Sequence, residues 1–160
     1  MLARVADSLY WLGRYIERAE HLSRLSSVML NATLDQTDSG AHAVRIAMAA
    51  VGDPADGVDV GSFEAAEALV LDRSDTNSVV SSLARARENA RQVRDQITTE
   101  TWERLNLLYL KVTDDKAAKE FSDGSANFLH DVIADLHLFK GAADTTMSHG
   151  ESWRFMMLGI

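Results

Sequence analysis

The opening segment, Ala3 to Leu34, constrains the fold more than any other part of the chain, because it is apolar on two sides of a helix. Leu2, Val5, Leu9, Leu12, Ile16 and Ala19 step by three and four and fall on one stripe. At 100° per residue, Trp11, Tyr15, Leu22, Leu25 and Met29 fall on a second arc, roughly opposite. A helix with two apolar sides is sandwiched between neighbours and does not lie on a surface. The first helix is therefore expected to be central. Pro54 is the only proline in 160 residues, and β-branched alternation is scarce, so the rest of the chain should be helical too. The expected class is all-α, a helical bundle of about five to seven helices.

Punctuation divides the remainder. Asp35 to Gly40 reads as a polar break, Ala41 to Val51 as a short helix, and Gly52 to Gly57 as a Gly/Pro/Asp loop. Ser62 is placed to cap a helix over Phe63 to Leu71. Val79, Leu83, Ala86, Ala90, Val93 and Ile97 predict a helix to Ile97. Thr99 is placed to cap the next, which carries Trp102, Leu105, Tyr109 and Val112. Asp114 to Gly124 is weakly patterned, and Leu129, Val132, Leu136, Phe139 and Ala143 form a long final stripe ended by Gly150. Ser152 to Ile160 begins another apolar helix. So short and apolar a segment needs something to pack against. Residues 1–160 are thus expected to be a single all-α domain, the N-terminal part of a longer one.

Charge and cysteine content exclude several functions. The formal net charge of -8 disfavours nucleic acid as a partner, since phosphate neutralisation supplies most of that affinity. Cysteine is absent, which removes disulfides, thiolate metal sites and cysteine nucleophiles. Arg4, Asp7, Arg14, Glu17 and Arg18 interrupt any signal-peptide core, and no stretch approaches the ~18 apolar residues of a membrane span. No membrane association and a cytoplasmic location are the expectation.

The run Leu9-Tyr10-Trp11-Leu12-Gly13-Arg14-Tyr15-Ile16-Glu17-Arg18-Ala19-Glu20 resembles the signature of the bacterial alpha-E family, named for predicted helices with a Glu-Arg motif. Further blocks resemble the family at Asp72-Arg73, Ser78 to Leu83, Ala86 to Arg94, His137 to Gly141 and Glu151 to Phe155. Family members continue past Leu158-Gly159 into a second Leu-Gly-Arg…Glu-Arg helix and are about twice as long. Here Ile160 stands where an Arg is expected. The resemblance implies a partner of circularly permuted ATP-grasp-type proteins, in the company of transglutaminase-like proteins, and hence a role near peptide ligation or protein modification. The expected role is a non-enzymatic interaction module, docking on such a ligase or self-associating through the terminal apolar helix.

Two sets of residues are candidates for ligand contact. Arg14 and Glu17 are three apart and able to pair, while Arg18 is directed between Trp11 and Leu25, where a buried guanidinium would need a partner. Arg87, Arg91 and Arg94, at i, i+4 and i+7, line one edge of a stripe, with Glu88 and Asn89 in the same family-like block. Two readings stand for Arg14, Glu17, Arg18, Glu88, Asn89, Arg91 and Arg94. They are either structural ion pairs or an Arg-lined site for an anionic peptide or acyl-phosphate.

His130 and His137, Asp131 and Asp135, and Glu17 and His21 invite a metal reading. The Glu-x-x-His spacing of a di-iron bundle does not occur. No metal, cofactor or catalytic residue is expected, as no phosphate loop or nucleophile elbow is present either. Trp11, Trp102 and Trp153 read as core anchors.

Overall fold

A computed structural model describes residues 1–34, 38–52 and 61–160. They form seven helices and no strand: α1 (Ala3–Leu34), α2 (Asp38–Ala50), α3 (Ser62–Leu71), α4 (Val79–Gln92), α5 (Thr99–Thr113), α6 (Ala117–Thr146) and α7 (Glu151–Gly159). The fold is an all-α bundle, and α1 spans the residues its periodicity predicts. Most of the expected Gly/Pro/Asp loop lies outside the described residues.

Several boundaries differ from the sequence reading, each for a local reason. Helix α2 begins at Asp38, inside the expected break. Gly61 stands at the N-cap of α3 and Ser62 is its first helical residue. Ser78 starts α4 by accepting a hydrogen bond from the Ser81 N–H at 3.2 Å. Helix α4 stops at Gln92, five residues short of Ile97. Val93 and Ile97 remain buried, because a turn closed by Gln96 N–H on the Val93 carbonyl at 2.8 Å still directs both inward. The cap of α5 is Thr98, which accepts from the Thr101 N–H at 3.3 Å.

Helix α6 extends back to Ala117 across a kink at Gly124 (φ -168°, ψ 68°). Between residues 114 and 127 only Ala117 and Phe121 are buried, which is why the apolar pattern there looks weak. Phe121 is buried nevertheless, with ring centroids 5.5 Å from Phe63 and 5.6 Å from Phe128.

Helix α1 packs against α2, α3, α4, α6 and α7 and is the axis of the bundle. It runs antiparallel to α4, with Ser8 Oγ 3.5 Å from Gln92 Oε1 and Arg85 above Tyr15. It also runs antiparallel to α6, with Glu17 against Lys140 and Arg24 against His137. It runs parallel to α7, whose Glu151 lies 3.5 Å from the Met1 amino group. Leu9, Leu12, Ile16, Leu83, Leu105, Leu129, Leu136 and Phe139 are fully buried, each contributing about 1.5–3 kcal/mol. Ser23 and Ser26 are buried in α1 without cost in polar groups, because their hydroxyls donate to the Ala19 and Leu22 carbonyls at 2.8 and 2.9 Å.

The two apolar sides of α1 are covered unequally. Its first stripe is closed from Leu9 to Ala19. On the second arc Leu22 and Met29 are buried and Tyr15 and Leu25 half-buried, but Trp11 is 43% exposed. Trp102 and Trp153 are half-buried against the core, so Trp11 departs from its expected role as a core anchor. Among the described residues no helix is long and apolar enough to cross a membrane.

Candidate functional site

Two faces of α1 carry charge, and they differ in how that charge is satisfied. On the face toward α6, Glu17, Glu20, His21 and Arg24 follow one another at helical spacing. Lys140 of α6 reaches between the two glutamates, its Nζ 2.6 Å from Glu17 Oε2 and 2.7 Å from Glu20 Oε2. Arg24 Nη2 donates to Glu20 Oε1 at 2.7 Å. The His137 Nε2 lies 3.1 Å from the same oxygen, and His21 Nε2 lies 3.1 Å from Glu17 Oε1.

Glu20 is only 6% exposed. Burial alone would push its carboxyl up, but the hydrogen bonds from Lys140, Arg24 and His137 outweigh it and hold the pKa down at about 2. Burial would likewise lower the Lys140 ammonium, and its hydrogen bonds to Glu17 and Glu20 more than compensate, so its pKa is raised. This is a closed ion-pair network that ties α6 to α1. Among the described residues no group of three or more His, Cys, Asp or Glu side chains is placed to hold a metal ion.

The network has a consequence for the neighbouring arginines. Glu17 turns to Lys140 and His21, so it does not pair with Arg14 as its spacing would allow. Arg14 instead donates from Nη1 to the Gly159 carbonyl at 3.3 Å. Arg18 is exposed, not buried as its position between Trp11 and Leu25 suggests, because no helix covers this end of the second arc. Trp11, Arg14, Tyr15 and Arg18 line a cleft of about 270 Å³. Its aromatic wall is the Trp11–Tyr15 pair, with centroids 5.6 Å apart and planes at 32°. Arg85 of α4 places its guanidinium 5.8 Å from the Tyr15 centroid.

The second candidate set behaves differently. Arg91 forks onto Glu88, with Nε 2.9 Å from Oε2 and Nη2 2.8 Å from Oε1. The Arg91 hydrogen bond is the main reason that the exposed Glu88 carboxyl is lowered to about 2. The Asn89 amide donates to the Arg85 carbonyl at 2.9 Å, within α4. Arg94 donates to the Ile97 carbonyl at 3.3 Å and to Thr99 Oγ1 at 3.2 Å, and it lies over Trp102. Arg87 donates to Asn106 Oδ1 at 2.8 Å and stacks on Tyr109 and Trp102. All of these have partners inside the fold. Arg14 and Arg18 are brought together, whereas Arg91 and Arg94 point to separate local partners.

Lys140, Arg24 and Arg85 were not singled out by sequence reasoning. The spacing of Glu17, Glu20 and Arg24 was a usable signal for the stripe on α1. Nothing local indicates that Lys140 meets it from 120 residues away.

A third feature lies at the start of α1. Met1, Ala3, Ala6, Asp7, Tyr10, Glu151, Phe155 and Leu158 line an open, largely apolar groove of about 610 Å³ between α1 and α7. Leu158, at its edge, is 70% exposed, and Leu2 is 73% exposed.

The sequence profile of the Alpha-E family, described as a predicted alpha-helical domain with a conserved ER motif, matches residues 1–160. The chain belongs to the Alpha-E family. An uncharacterised protein of Mycobacterium bovis is 28% identical to it over 179 residues, covering 98% of this chain and 20% of that protein. An uncharacterised protein of Mycobacterium tuberculosis H37Rv is 27% identical over 179 residues, with the same coverage. The chain thus spans about a fifth of the length of the curated relatives it matches. No solved structure matches it.

The Alpha-E chain contains two Glu-Arg dipeptides, Glu17-Arg18 and Glu103-Arg104. Glu103 and Arg104 are both exposed and form no ion pair among the described residues. In the first dipeptide the two residues divide their work. Glu17 binds inward to Lys140, and Arg18 is presented outward beside Trp11.

Proposed function

We propose that this chain is a non-enzymatic interaction module, the N-terminal part of a longer alpha-E domain, that docks on a circularly permuted ATP-grasp-type peptide ligase. The single observation that carries the reading is the apolar groove between α1 and α7, with Leu158 uncovered at it. An apolar patch of this kind on a chain otherwise rich in charge marks a contact for another protein surface. The family resemblance supplies the kind of partner. The functional setting is the cytoplasm.

The test is to co-express the chain with an ATP-grasp-type protein from the same genome and to measure complex formation by size exclusion with light scattering. Leu158→Glu should abolish the complex and leave helical content unchanged. A stable monomer that binds no such protein would overturn the reading. A homodimer dissolved by the same substitution would assign the groove to self-association instead.

A second reading is favoured by one specific observation, the arginines of the Trp11 cleft. It gives the chain an anion-binding surface independent of the groove.

A further inference from the structure

We propose that the cleft formed by Trp11, Arg14, Tyr15 and Arg18, with Arg85 beside it, is a receptor for an acidic peptide segment. The chain carries 24 acidic and 16 basic residues, so a carboxylate is the easiest partner for any arginine to find. Yet neither Arg14, Arg18 nor Arg85 forms an ion pair among the described residues. The nearest carboxylate in sequence, Glu17, is taken by Lys140 and His21 on the opposite flank of α1. Glu88 is likewise engaged by Arg91. The fold therefore engages these acids elsewhere and leaves two guanidinium groups lining one cleft, with a third, Arg85, near its Tyr15 wall.

Their remaining hydrogen-bonding capacity is large. Arg14 spends one Nη1 contact on the Gly159 carbonyl, which also orients it. Arg85 is held by its position over Tyr15. Arg18 has no polar partner among the described residues, so all its donors are available. Between the charges stands a half-exposed indole tilted against a phenol ring, a surface that accepts an apolar or flat side chain.

The geometry points to peptide carboxylates as the anion. The cleft is built from side chains in the middle of a helix, so it offers no helix N-terminus and no nest of backbone N–H groups, the usual cradles for phosphate. Arg14 and Arg18 are one helical turn apart, about 6 Å. Alternate residues of an extended chain lie on one face and rise by about 6.8 Å, so two such carboxylates meet the two forks. The assignment is independent of the groove between α1 and α7.

The probe is a short, end-capped peptide alternating glutamate and leucine, titrated into the chain by calorimetry at low salt. A counterpart with lysine for glutamate serves as control. One-to-one binding of the acidic peptide is expected, with none of the basic one and a steep loss of affinity with added salt. Arg18→Met should weaken binding about tenfold while its unfolding midpoint stays at the wild-type value, because Arg18 supports nothing in the fold. Arg18→Lys should lose less. An unchanged affinity in Arg18→Met, or no binding by the wild type, would overturn the proposal. So would displacement of the peptide by sodium phosphate beyond that by sodium chloride at equal ionic strength, which would make the cleft a small-anion site.

Discussion

Gly13 and Gly159 meet where α1 crosses α7, and their contact is reciprocal. A Cβ on Gly13 would fall on the Met156 carbonyl oxygen, three residues before Gly159. A Cβ on Gly159 would fall on the Tyr10 carbonyl oxygen, three residues before Gly13. Each helix thus sets its backbone against the other at its one residue without a side chain. The approach holds a nine-residue helix, too short to persist alone, against the bundle and buries Met156 completely. It also places the Gly159 carbonyl where Arg14 reaches it.

Gly13→Ala should therefore destabilise the protein by about 1–3 kcal/mol, since the new methyl must push backbone and not a flexible side chain. Gly159→Ala should cost a similar amount. The double variant should cost less than the sum, because the first change already separates the helices. Gly141→Ala is the control. Gly141 is exposed within α6, with open space around its Cβ direction, so alanine there should stabilise by about 0.5–1 kcal/mol. Urea unfolding of the four variants would check all of this.

Lys140→Met would leave Glu17 and Glu20 without the ammonium that lies between them. Glu20 is buried and keeps only Arg24 and His137, so a loss of about 2 kcal/mol is expected. The effect should be larger than that of Lys119→Met, whose pair with Asp123 is exposed on both sides. Thermal unfolding at neutral pH would rank the two.

The same network sets a pH dependence. Glu20 is lowered from an ordinary value of 4.5 to about 2, so its contribution is fully present above pH 4.5. It should fade as the pH drops from there toward 2. Lys140 is raised above its ordinary 10.5, so its contribution holds below that value and is lost as the pH climbs through the higher folded one. Unfolding midpoints across both ranges should show the two losses, and the acid slope should be shallower in Lys140→Met.

Much of the fold was legible because helical periodicity is a local property. The two stripes of α1 can be read from residues three and four apart, and the structure closes the first of them from Leu9 to Ala19. The expected extension of α4 to Ile97 failed because a turn directed Val93 and Ile97 inward as well as a helix would. The start of α6 was obscured because only Ala117 and Phe121 are buried between residues 114 and 127, too few to show a stripe. The candidate site was less legible. The spacing offers Glu17 as a partner for Arg14, and the structure gives Glu17 to a lysine on another helix.

The residue order alone determined that the chain is helical, that α1 is its doubly apolar axis, and that charged groups ride on that helix. Only the tertiary structure decided which of those groups are neutralised. Glu17 and Glu20 face α6 and meet Lys140, whereas Trp11, Arg14 and Arg18 line an exposed cleft. The reason is geometric. Spacing along a helix assigns each residue to a face, but which neighbour closes that face depends on how distant helices pack, and local sequence does not encode that arrangement.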